Sequence, residues 1–358
     1  MNKVWFLIGA IPPQTGGELY NYKLFQCLEQ EGFDTELISL HKKLAIRISR
    51  MPVVGNLLAN IALAGLLYKS KGILVEDHYF TRYLFLTNII KRLFGENRII
   101  ILVHSLYGYD TNDNFWLRKL FKGIKHRIRL SLADIIITNS QYSRHEIVSL
   151  GIKSSLVHVI SPGIDREKLK FISQTDNEKP QILCVANYLP GKGLIYLIKA
   201  YSQINSRNFT LHLIGNPSKT SNYCHRLKKM VVKYNLTENV FFHNGSDKET
   251  LQKLYSQAKI FVLPTLKETF GIVLIEAMHY SLPIITTKVG AIPELITDGE
   301  NGLLCPPRNS EALAEALSKL IENPDLRKKM GEISHQRVAN SYYWQQTYSN
   351  FLSCFKNM

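Results

Sequence analysis

Short runs of apolar, often β-branched residues alternate along the chain with stretches in which apolar residues recur at helical spacing. Because turn residues bound them, these runs predict strands in two series. The first series is Val4–Ile8, Thr35–Ser39, Ile73–Glu76, Arg98–Val103, Asp134–Thr138 and Val157–Ile160. The second series is Gln181–Val185, Thr210–Ile214, Val240–Phe242, Ile260–Leu263 and Pro283–Thr286.

Each series indicates a parallel sheet with helices on both faces. Ile99–Val103 and Ile135–Ile137 are apolar throughout, which is typical of strands that are buried on both sides. The regular alternation of strand and helix predicts an α/β fold. Pro162-Gly163 and the polar stretch Ser173–Lys179 separate the two series, so we expect a domain boundary there.

A glycine-rich turn follows the first strand of the second series. It contains Asn187, Lys192 and Gly193 and leads into a helical run from Leu194 to Tyr201. Amide groups at a helix start and a lysine suit an anion, although a solvated lysine in an ordinary connection has the same pattern. Neither a GxxxxGK[ST] loop nor a GxGxxG fingerprint occurs, which argues against P-loop ATP hydrolysis and ordinary NAD chemistry.

The segment Leu263–Met278 carries the strongest chemical pattern. A strand ends at Leu263, a loop carries Glu268, and a helix is expected to begin near Ile272, after Gly271. The first amides of such a helix lack intrahelical acceptors, so the phosphates of a ligand can bind there while two carboxylates flank the ligand. The second carboxylate is Glu276.

Glu268 and Glu276 stand in ETFGIVLIE, which resembles the EX7E motif of the retaining GT-B glycosyltransferases, in particular glycosyltransferase family 4 (glycosyl transferases group 1). The resemblance extends on both sides of this motif. VISPGID at 159–165 resembles the family's VIPNGVD turn, LPGKG at 189–193 its donor loop, and VGAIPELI with DGENGLL its VGGxPExIxDGxNGxL segment. Together these motifs cover most of residues 157 to 305.

The resemblance implies a GT-B fold, in which two Rossmann-like, doubly wound parallel-sheet domains face a cleft. Residues 1–165 would bind the acceptor, residues 166–340 would bind the nucleotide sugar, and a C-terminal helix in 341–358, beginning near Ser341, would cross back to the first domain. The resemblance also implies the site residues. His104, at the end of a strand, and Glu268 would lie at the reacting centre. The donor-binding residues would be Gly16, Gly17, Asn187, Lys192, Phe270, Gly271, Ile272, Val273 and Glu276.

The implied reaction moves a sugar from a UDP-sugar or GDP-sugar to a hydroxyl acceptor with retention and without a metal, in cell-surface polysaccharide or glycolipid synthesis. No DxD, HExxH or Cys/His cluster suggests a metal site. One departure is Asn187, which stands where the family's donor loop has arginine. This departure leaves a non-catalytic sugar-nucleotide-binding relative as one alternative, and a GT-B sugar-nucleotide epimerase, which shares the sheet order, is the other.

The formal net charge of +15 predicts anionic partners. Leu117–Leu130 has basic residues and no acidic ones among apolar residues at helical spacing, so we expect it to contact an anionic membrane surface, or else to be an ordinary solvated helix.

The uncharged stretch Met51–Tyr68 is interrupted by glycine and proline, which favours a buried or interfacial helix over a membrane span. No nucleic-acid-binding motif accompanies the charge. Scattered cysteines and the lack of an export signal favour the cytoplasm. The basic helix favours peripheral attachment to the inner face of the cell membrane, and the acceptor is expected to be a saccharide or a lipid-linked molecule.

Overall fold

The computed structural model describes residues 3–8, 15–39, 72–94, 98–106, 116–166, 179–204, 208–216, 222–245 and 248–356. The chain divides into two compact units, one formed by Met1–Pro162 with Thr347–Met358 and the other by Gly163–Gln346. The domain boundaries expected from the sequence lie at residues 165 and 340. The apolar stretch Met51–Tyr68 lies outside the described residues.

Within the described residues, each unit contains a six-stranded parallel sheet. In the first unit the spatial order is β2-β1-β3-β4-β5-β6, and in the second it is β12-β11-β10-β7-β8-β9. The strands of the first unit are β1 (Val4–Ile8), β2 (Thr35–Ser39), β3 (Ile73–Asp77), β4 (Arg98–Val103), β5 (Ile135–Thr138) and β6 (Val157–Val159). Those of the second are β7 (Gln181–Val185), β8 (Thr210–Ile214), β9 (Val240–His243), β10 (Ala258–Leu263), β11 (Ile284–Thr287) and β12 (Gly302–Cys305).

Helices connect the strands, as expected for parallel pairs that need crossover connections. The first unit has α1 (Gly16–Gln30), α2 (Thr81–Phe94), α3 (Trp116–Leu130) and α4 (Gln141–Ser149). The second has α5 (Leu194–Gln203), α6 (Tyr223–Lys233), α7 (Lys248–Gln257), α8 (Ile272–His279), α9 (Ile292–Leu295), α10 (Ser310–Glu322) and α11 (Pro324–Ser341). The last helix, α12 (Trp344–Lys356), begins in the second unit and ends in residues that belong to the first.

The strand orders confirm the predicted doubly wound α/β fold and determine where ligands can bind. In such sheets the ligand site lies at the carboxyl ends of the strands, where the order reverses. The reversal falls between β1 and β3 in the first sheet and between β7 and β10 in the second. The segments that follow these four strands are therefore the candidate site segments.

The strands that are apolar throughout are buried on both faces. Ile99, Ile100, Ile101, Leu102 and Val103 are each at most 1% exposed. In the second unit, one continuous apolar core joins the sheet to the helices that cover it. Each unit therefore has a core of its own.

The strands predicted from the sequence lack one strand, and the last helix begins later than predicted. Gly302–Cys305 forms the strand β12, paired with β11, although glycine and the preceding turn residues give this segment little strand propensity. The helix expected to begin near Ser341 begins at Trp344 instead. The preceding helix ends at Ser341, and the amide of Tyr343 donates to Oε1 of Gln346 at 3.1 Å, which caps the new helix.

A carboxyl group is buried in β3. The side chain of Glu76 is fully buried, and its Oε1 accepts a hydrogen bond of 2.8 Å from Nδ2 of Asn88. Burial raises the pKa of Glu76 from 4.5 to about 8. The unfolded chain releases this proton near pH 4.5, whereas the folded protein keeps it until about pH 8. The free energy of unfolding therefore falls as the pH rises between these two values.

Replacing Glu76 with glutamine should remove this fall in the free energy of unfolding with rising pH. At pH 8, Glu76→Gln should raise the melting temperature by more than about 2 °C, and the difference from the wild type should narrow towards pH 5. Glu29→Gln, at an exposed position of the same unit, is the control. Thermal unfolding over this pH range tests the expectation, and a difference that does not change with pH would contradict it.

Candidate active site

In the second unit, the segments that follow β7 and β10 contact each other. The amide of Leu266 donates to the carbonyl of Gly191 at 2.8 Å. Gly193 has a φ of +68°, and a Cβ at this position would overlap the carbonyl oxygen of Pro264. Only glycine therefore allows this approach without a shift of the backbone.

This contact brings two predicted site residues together. Nζ of Lys192 lies 2.7 Å from Oε2 of Glu268, with 30% and 13% of the two side chains exposed. Lys192 ends the short 3₁₀ turn Pro190–Lys192, and Glu268 lies in the loop between β10 and α8. The pair is hydrogen-bonded as well as oppositely charged.

The backbone of Glu268 is held by the segment that follows β11. The amide of Ala291 donates to the carbonyl of Glu268 at 3.0 Å. Gly290, with a φ of +54°, packs so closely that a Cβ there would overlap the same carbonyl oxygen. The position of the carboxylate therefore depends on a second glycine contact.

Helix α8 begins beside this loop. Gly271 precedes the helix with a φ of +97°, and Ile272 and Val273 are its first residues. The amides at this end have no intrahelical acceptor, and the helix dipole adds positive potential to them. Phe270 is buried and its ring lies 6.0 Å from that of Tyr342, which anchors the loop. The helix start is thus suited to an anion.

Glu276 lies on α8, one turn beyond these amides. Its Oε2 accepts a hydrogen bond of 2.9 Å from the hydroxyl of Tyr255. Tyr255 is buried and stacks on Tyr280, with ring centroids 5.1 Å apart. Burial and the neighbouring Glu276 raise the pKa of Tyr255 well above its usual value, so this hydroxyl remains a donor.

Asn187 is exposed, and it stands at the position where the family's donor loop has arginine. Its Oδ1 accepts a hydrogen bond of 3.2 Å from the amide of Asn216, at the end of β8. The side chain therefore joins two loops and brings no charge. Lys192 is the cation that the structure places beside Glu268.

In the first unit, the remaining predicted residues meet at the reversal between β1 and β3. Gly16 and Gly17 begin α1, which Thr15 caps through a reciprocal capping box with Glu18. His104 follows β4, and a Cβ on Gly17 would lie 3.0 Å from Cδ2 of its ring. Burial lowers the pKa of His104, and the nearby Asp77 opposes this shift.

Sequence reasoning missed several residues of both sites. Asn21, whose Oδ1 lies 2.8 Å from Nε2 of His104, stands one turn after Gly17 on α1. Asp77 ends β3, so the strand-end rule could have found it. Tyr255 has no local signal, because its contact with Glu276 joins two helices that are distant in sequence.

The described part of the chain holds no cluster of three or more His, Cys, Asp or Glu residues arranged to bind a metal ion. Among the helices of that part, none is both long enough and apolar enough to cross a membrane.

Two family models match the chain in succession. The model of glycosyltransferase family 4 matches residues 15–168, and the model of glycosyl transferases group 1 matches residues 165–337. Sucrose-phosphate synthase of Spinacia oleracea is 32% identical over 207 residues, which are 54% of this chain. The match spans only 19% of that much longer relative.

Solved structures share the whole fold. Sucrose-phosphate synthase of Thermosynechococcus elongatus superposes with a TM-score of 0.83 at 19% identity, over 100% of this chain and 99% of that one. HepE of Anabaena, solved with UDP and glucose, superposes with a TM-score of 0.79 at 18% identity, over 100% of both chains. At this identity, the likeness shows the fold alone.

The close contact at Gly290 gives a test of how the site is held. Gly290→Ala should lower the free energy of unfolding by about 1–3 kcal/mol more than Gly299→Ala. Both glycines have a positive φ, but nothing lies within 4 Å of a Cβ at Gly299. The control therefore isolates the contact with Glu268 from the cost of the left-handed backbone. Urea unfolding measures both variants, and equal losses would contradict this account.

Proposed function

Because the two family models together match residues 15–337, the chain belongs to the GT-B glycosyltransferases, and we propose that it transfers a sugar from a nucleoside diphosphate sugar to an acceptor hydroxyl with retention of configuration. The observation that carries this proposal is the pair of Lys192 and Glu268 beside the start of α8. Lys192 supplies a cation, Glu268 supplies a carboxylate, and the start of α8 supplies free amides. These groups can bind the diphosphate and the sugar of such a donor.

The cation and the helix start act on the leaving group. As the bond between the anomeric carbon and the diphosphate oxygen breaks, negative charge collects on the diphosphate. Lys192 and the amides of Ile272 and Val273 stabilise that charge, and they are fixed before the reaction begins. Asn187 supplies no charge, and losing one charge-assisted hydrogen bond costs about 1.5–3 kcal/mol. We therefore expect slower transfer than an arginine at this position would allow.

Glu276 binds the ribose of the donor. A carboxylate offers about four acceptor positions, and the hydroxyl of Tyr255 occupies one of them on Oε2. This hydrogen bond fixes the carboxylate while adjacent ribose hydroxyls donate to it. The stacked pair of Tyr255 and Tyr280 keeps the hydroxyl of Tyr255 in place.

Glu268 accepts hydrogen bonds from the transferred sugar, and His104 of the first unit acts near the reacting centre. The amides of Gly16 and Gly17 contribute to binding of the diphosphate. In this proposal no side chain takes the acceptor proton. A phosphate oxygen of the donor takes it while the acceptor oxygen bonds to the anomeric carbon on the face from which the diphosphate departs, which gives retention.

We further propose that no metal ion takes part and that the donor is a UDP-sugar or a GDP-sugar. Lys192 and the helix start supply the positive charge that a divalent cation would otherwise bring. Neither an epimerase nor a non-catalytic binding protein is favoured by a specific observation. An epimerase would return a changed sugar nucleotide, and a binding protein would return the donor unchanged.

Two substitutions separate the roles of the carboxylates. In assays with EDTA, Glu268→Ala should lower kcat by about 100-fold or more while the Kd for the nucleoside diphosphate stays within about threefold. Glu276→Ala should raise that Kd about tenfold or more, because it removes charge-assisted hydrogen bonds to the ribose.

Glu300→Ala, at an exposed position of the same unit, is the matched control and should change neither quantity. Unchanged turnover of Glu268→Ala at saturating donor would refute its role. Wild-type activity that is lost in EDTA and restored by manganese would refute transfer without a metal.

We also propose that α3 holds the first unit against an anionic membrane on the cytoplasmic side. There the protein would act on a lipid-linked or other saccharide acceptor, in cell-surface polysaccharide or glycolipid synthesis. Phe121, Ile124 and Ile128 are 60%, 44% and 47% exposed and recur at helical spacing. The exposed basic residues Lys125 and Arg127 lie among them on the same helix. Apolar insertion and charge attraction together support reversible binding to such a surface. The five cysteines are free thiols, which suits a reducing compartment.

Vesicle sedimentation tests this surface. The protein should sediment with anionic vesicles at low salt, be released by high salt, and bind neutral vesicles weakly. Ile124→Ser combined with Lys125→Glu should lower binding to anionic vesicles at least about tenfold. Val232→Ser, at a 63% exposed apolar position of the second unit, should not. Equal binding to neutral and anionic vesicles, or none to either, would contradict the proposal.

A further inference from the structure

His104 is the last member of a chain of hydrogen bonds that runs through the first unit. Its Nε2 lies 2.8 Å from Oδ1 of Asn21, and Nδ2 of Asn21 donates to Oδ2 of Asp77 at 2.7 Å. Asn21 is fully buried and Asp77 is 8% exposed. The other carboxylate oxygen, Oδ1, accepts a hydrogen bond of 2.8 Å from the amide of Tyr79. The three side chains come from β3, α1 and the segment after β4.

The chemistry of these groups fixes the direction of every hydrogen bond. An ionised carboxylate only accepts, so the side chain of Asn21 must turn its NH₂ group towards Asp77. Its oxygen then faces His104, and because that oxygen only accepts, Nε2 of His104 must carry the proton. In the neutral ring, Nδ1 is the nitrogen that keeps a free lone pair.

The ring is also held on its sides. Gly17 leaves just enough space, since a Cβ there would lie 3.0 and 3.1 Å from Cδ2 and Cγ of His104. Tyr20 contacts the ring edge-on, with centroids 5.3 Å apart and planes at 85°. The hydroxyl of Tyr20 donates to the carbonyl of Ile160 at 2.9 Å, which fixes this contact. The imidazole therefore has a defined orientation as well as a defined proton.

We propose that Asn21 and Asp77 are positioning residues, which hold His104 in the tautomer protonated on Nε2 and so reserve Nδ1 as an acceptor for a hydroxyl group of the bound sugar. No hydrogen bond of Nδ1 occurs within the part of the chain that the structure describes. Burial keeps the imidazole neutral by lowering its pKa, although Asp77, 3.7 Å from Nε2, opposes this. Among the described residues, His78 and Tyr20 are further titratable neighbours of the ring.

This inference rests on the proposed function in one respect: His104 must touch the sugar. A carboxylate acting through an amide has a clear physical advantage over direct contact. An imidazole that bonds directly to a carboxylate gains a strong preference for the charged form, whereas here the neutral amide of Asn21 makes the hydrogen bond and the carboxylate of Asp77 lies 3.7 Å from Nε2, beyond hydrogen-bonding distance. The ring can then act as a neutral acceptor.

The first test is spectroscopic and does not need activity. In protein labelled with nitrogen-15 histidine, long-range proton–nitrogen spectra at neutral pH should show His104 protonated on Nε2, with its signals identified by their loss in His104→Gln. In Asn21→Leu, which has a similar volume but no amide, the tautomer protonated on Nδ1 should appear. The same change is expected in Asp77→Asn, whose carboxamide can donate and so lets Asn21 reverse. A wild-type ring protonated on Nδ1 would overturn the proposal.

The second test is kinetic. Asn21→Leu and Asp77→Asn should lower kcat about 10- to 100-fold, while the Kd for UDP or GDP, whose main contacts we propose to lie in the second unit, stays within about twofold. Asn88→Leu is the matched control, since Asn88 is a buried asparagine of the same unit that bonds to Glu76 instead. The kcat of Asn88→Leu should equal that of the wild type.

Each variant is checked by its melting temperature, and the isosteric Asp77→Asn keeps the test decisive if Asn21→Leu does not fold. Full kcat in Asp77→Asn together with an unchanged tautomer would refute the role of the hydrogen-bond chain. If the wild type transfers no sugar, the proposed function fails, whereas the spectra still decide whether Asn21 and Asp77 set the tautomer.

Discussion

The contact between the segments after β7 and β10 is the constraint on which the second unit's site depends. A parallel sheet whose order reverses between these strands leaves space at their carboxyl ends. Gly193 lets one backbone touch the other at Pro264, and this contact brings Lys192 to 2.7 Å from Glu268. Because only 30% and 13% of these two side chains are exposed, water screens this pair less than an exposed ion pair, which contributes little to stability or to binding.

The first unit also has a reversal of strand order, but the groups beside it are chemically different. Its reversal lies between β1 and β3, and the groups placed there are a helix start at Gly16, an imidazole and a buried amide. The second unit places a lysine and a helix start near its reversal, which we propose to bind a diphosphate. The first offers directed hydrogen bonds, whose direction a buried carboxylate sets. Each sheet therefore holds polar groups beside its own order reversal, with a different chemistry in each unit.

Much of this arrangement could be predicted from the sequence, because local patterns determine it. The buried strands are apolar without interruption, and the strand, loop and helix around Glu268 and Glu276 are contiguous in the chain. What could not be predicted depends on contacts between distant segments. The hydrogen bond from Tyr255 to Glu276 and the contact of Gly290 with Glu268 exist only after the sheet has formed. Similarly, β12 is a strand of four residues that begins with glycine, so its own sequence is a weak signal, and its pairing with β11 defines it.

The central claim is that the start of α8, Lys192 and Glu276 together bind the diphosphate and ribose of a sugar nucleotide. A crystal structure of the protein with UDP or GDP tests it most directly. The account predicts phosphate oxygens within hydrogen-bonding distance of Nζ of Lys192 and of the amides of Ile272 and Val273, with the ribose hydroxyls on the carboxylate of Glu276. A nucleotide bound with its phosphates away from these amides, or with its ribose away from Glu276, would contradict it.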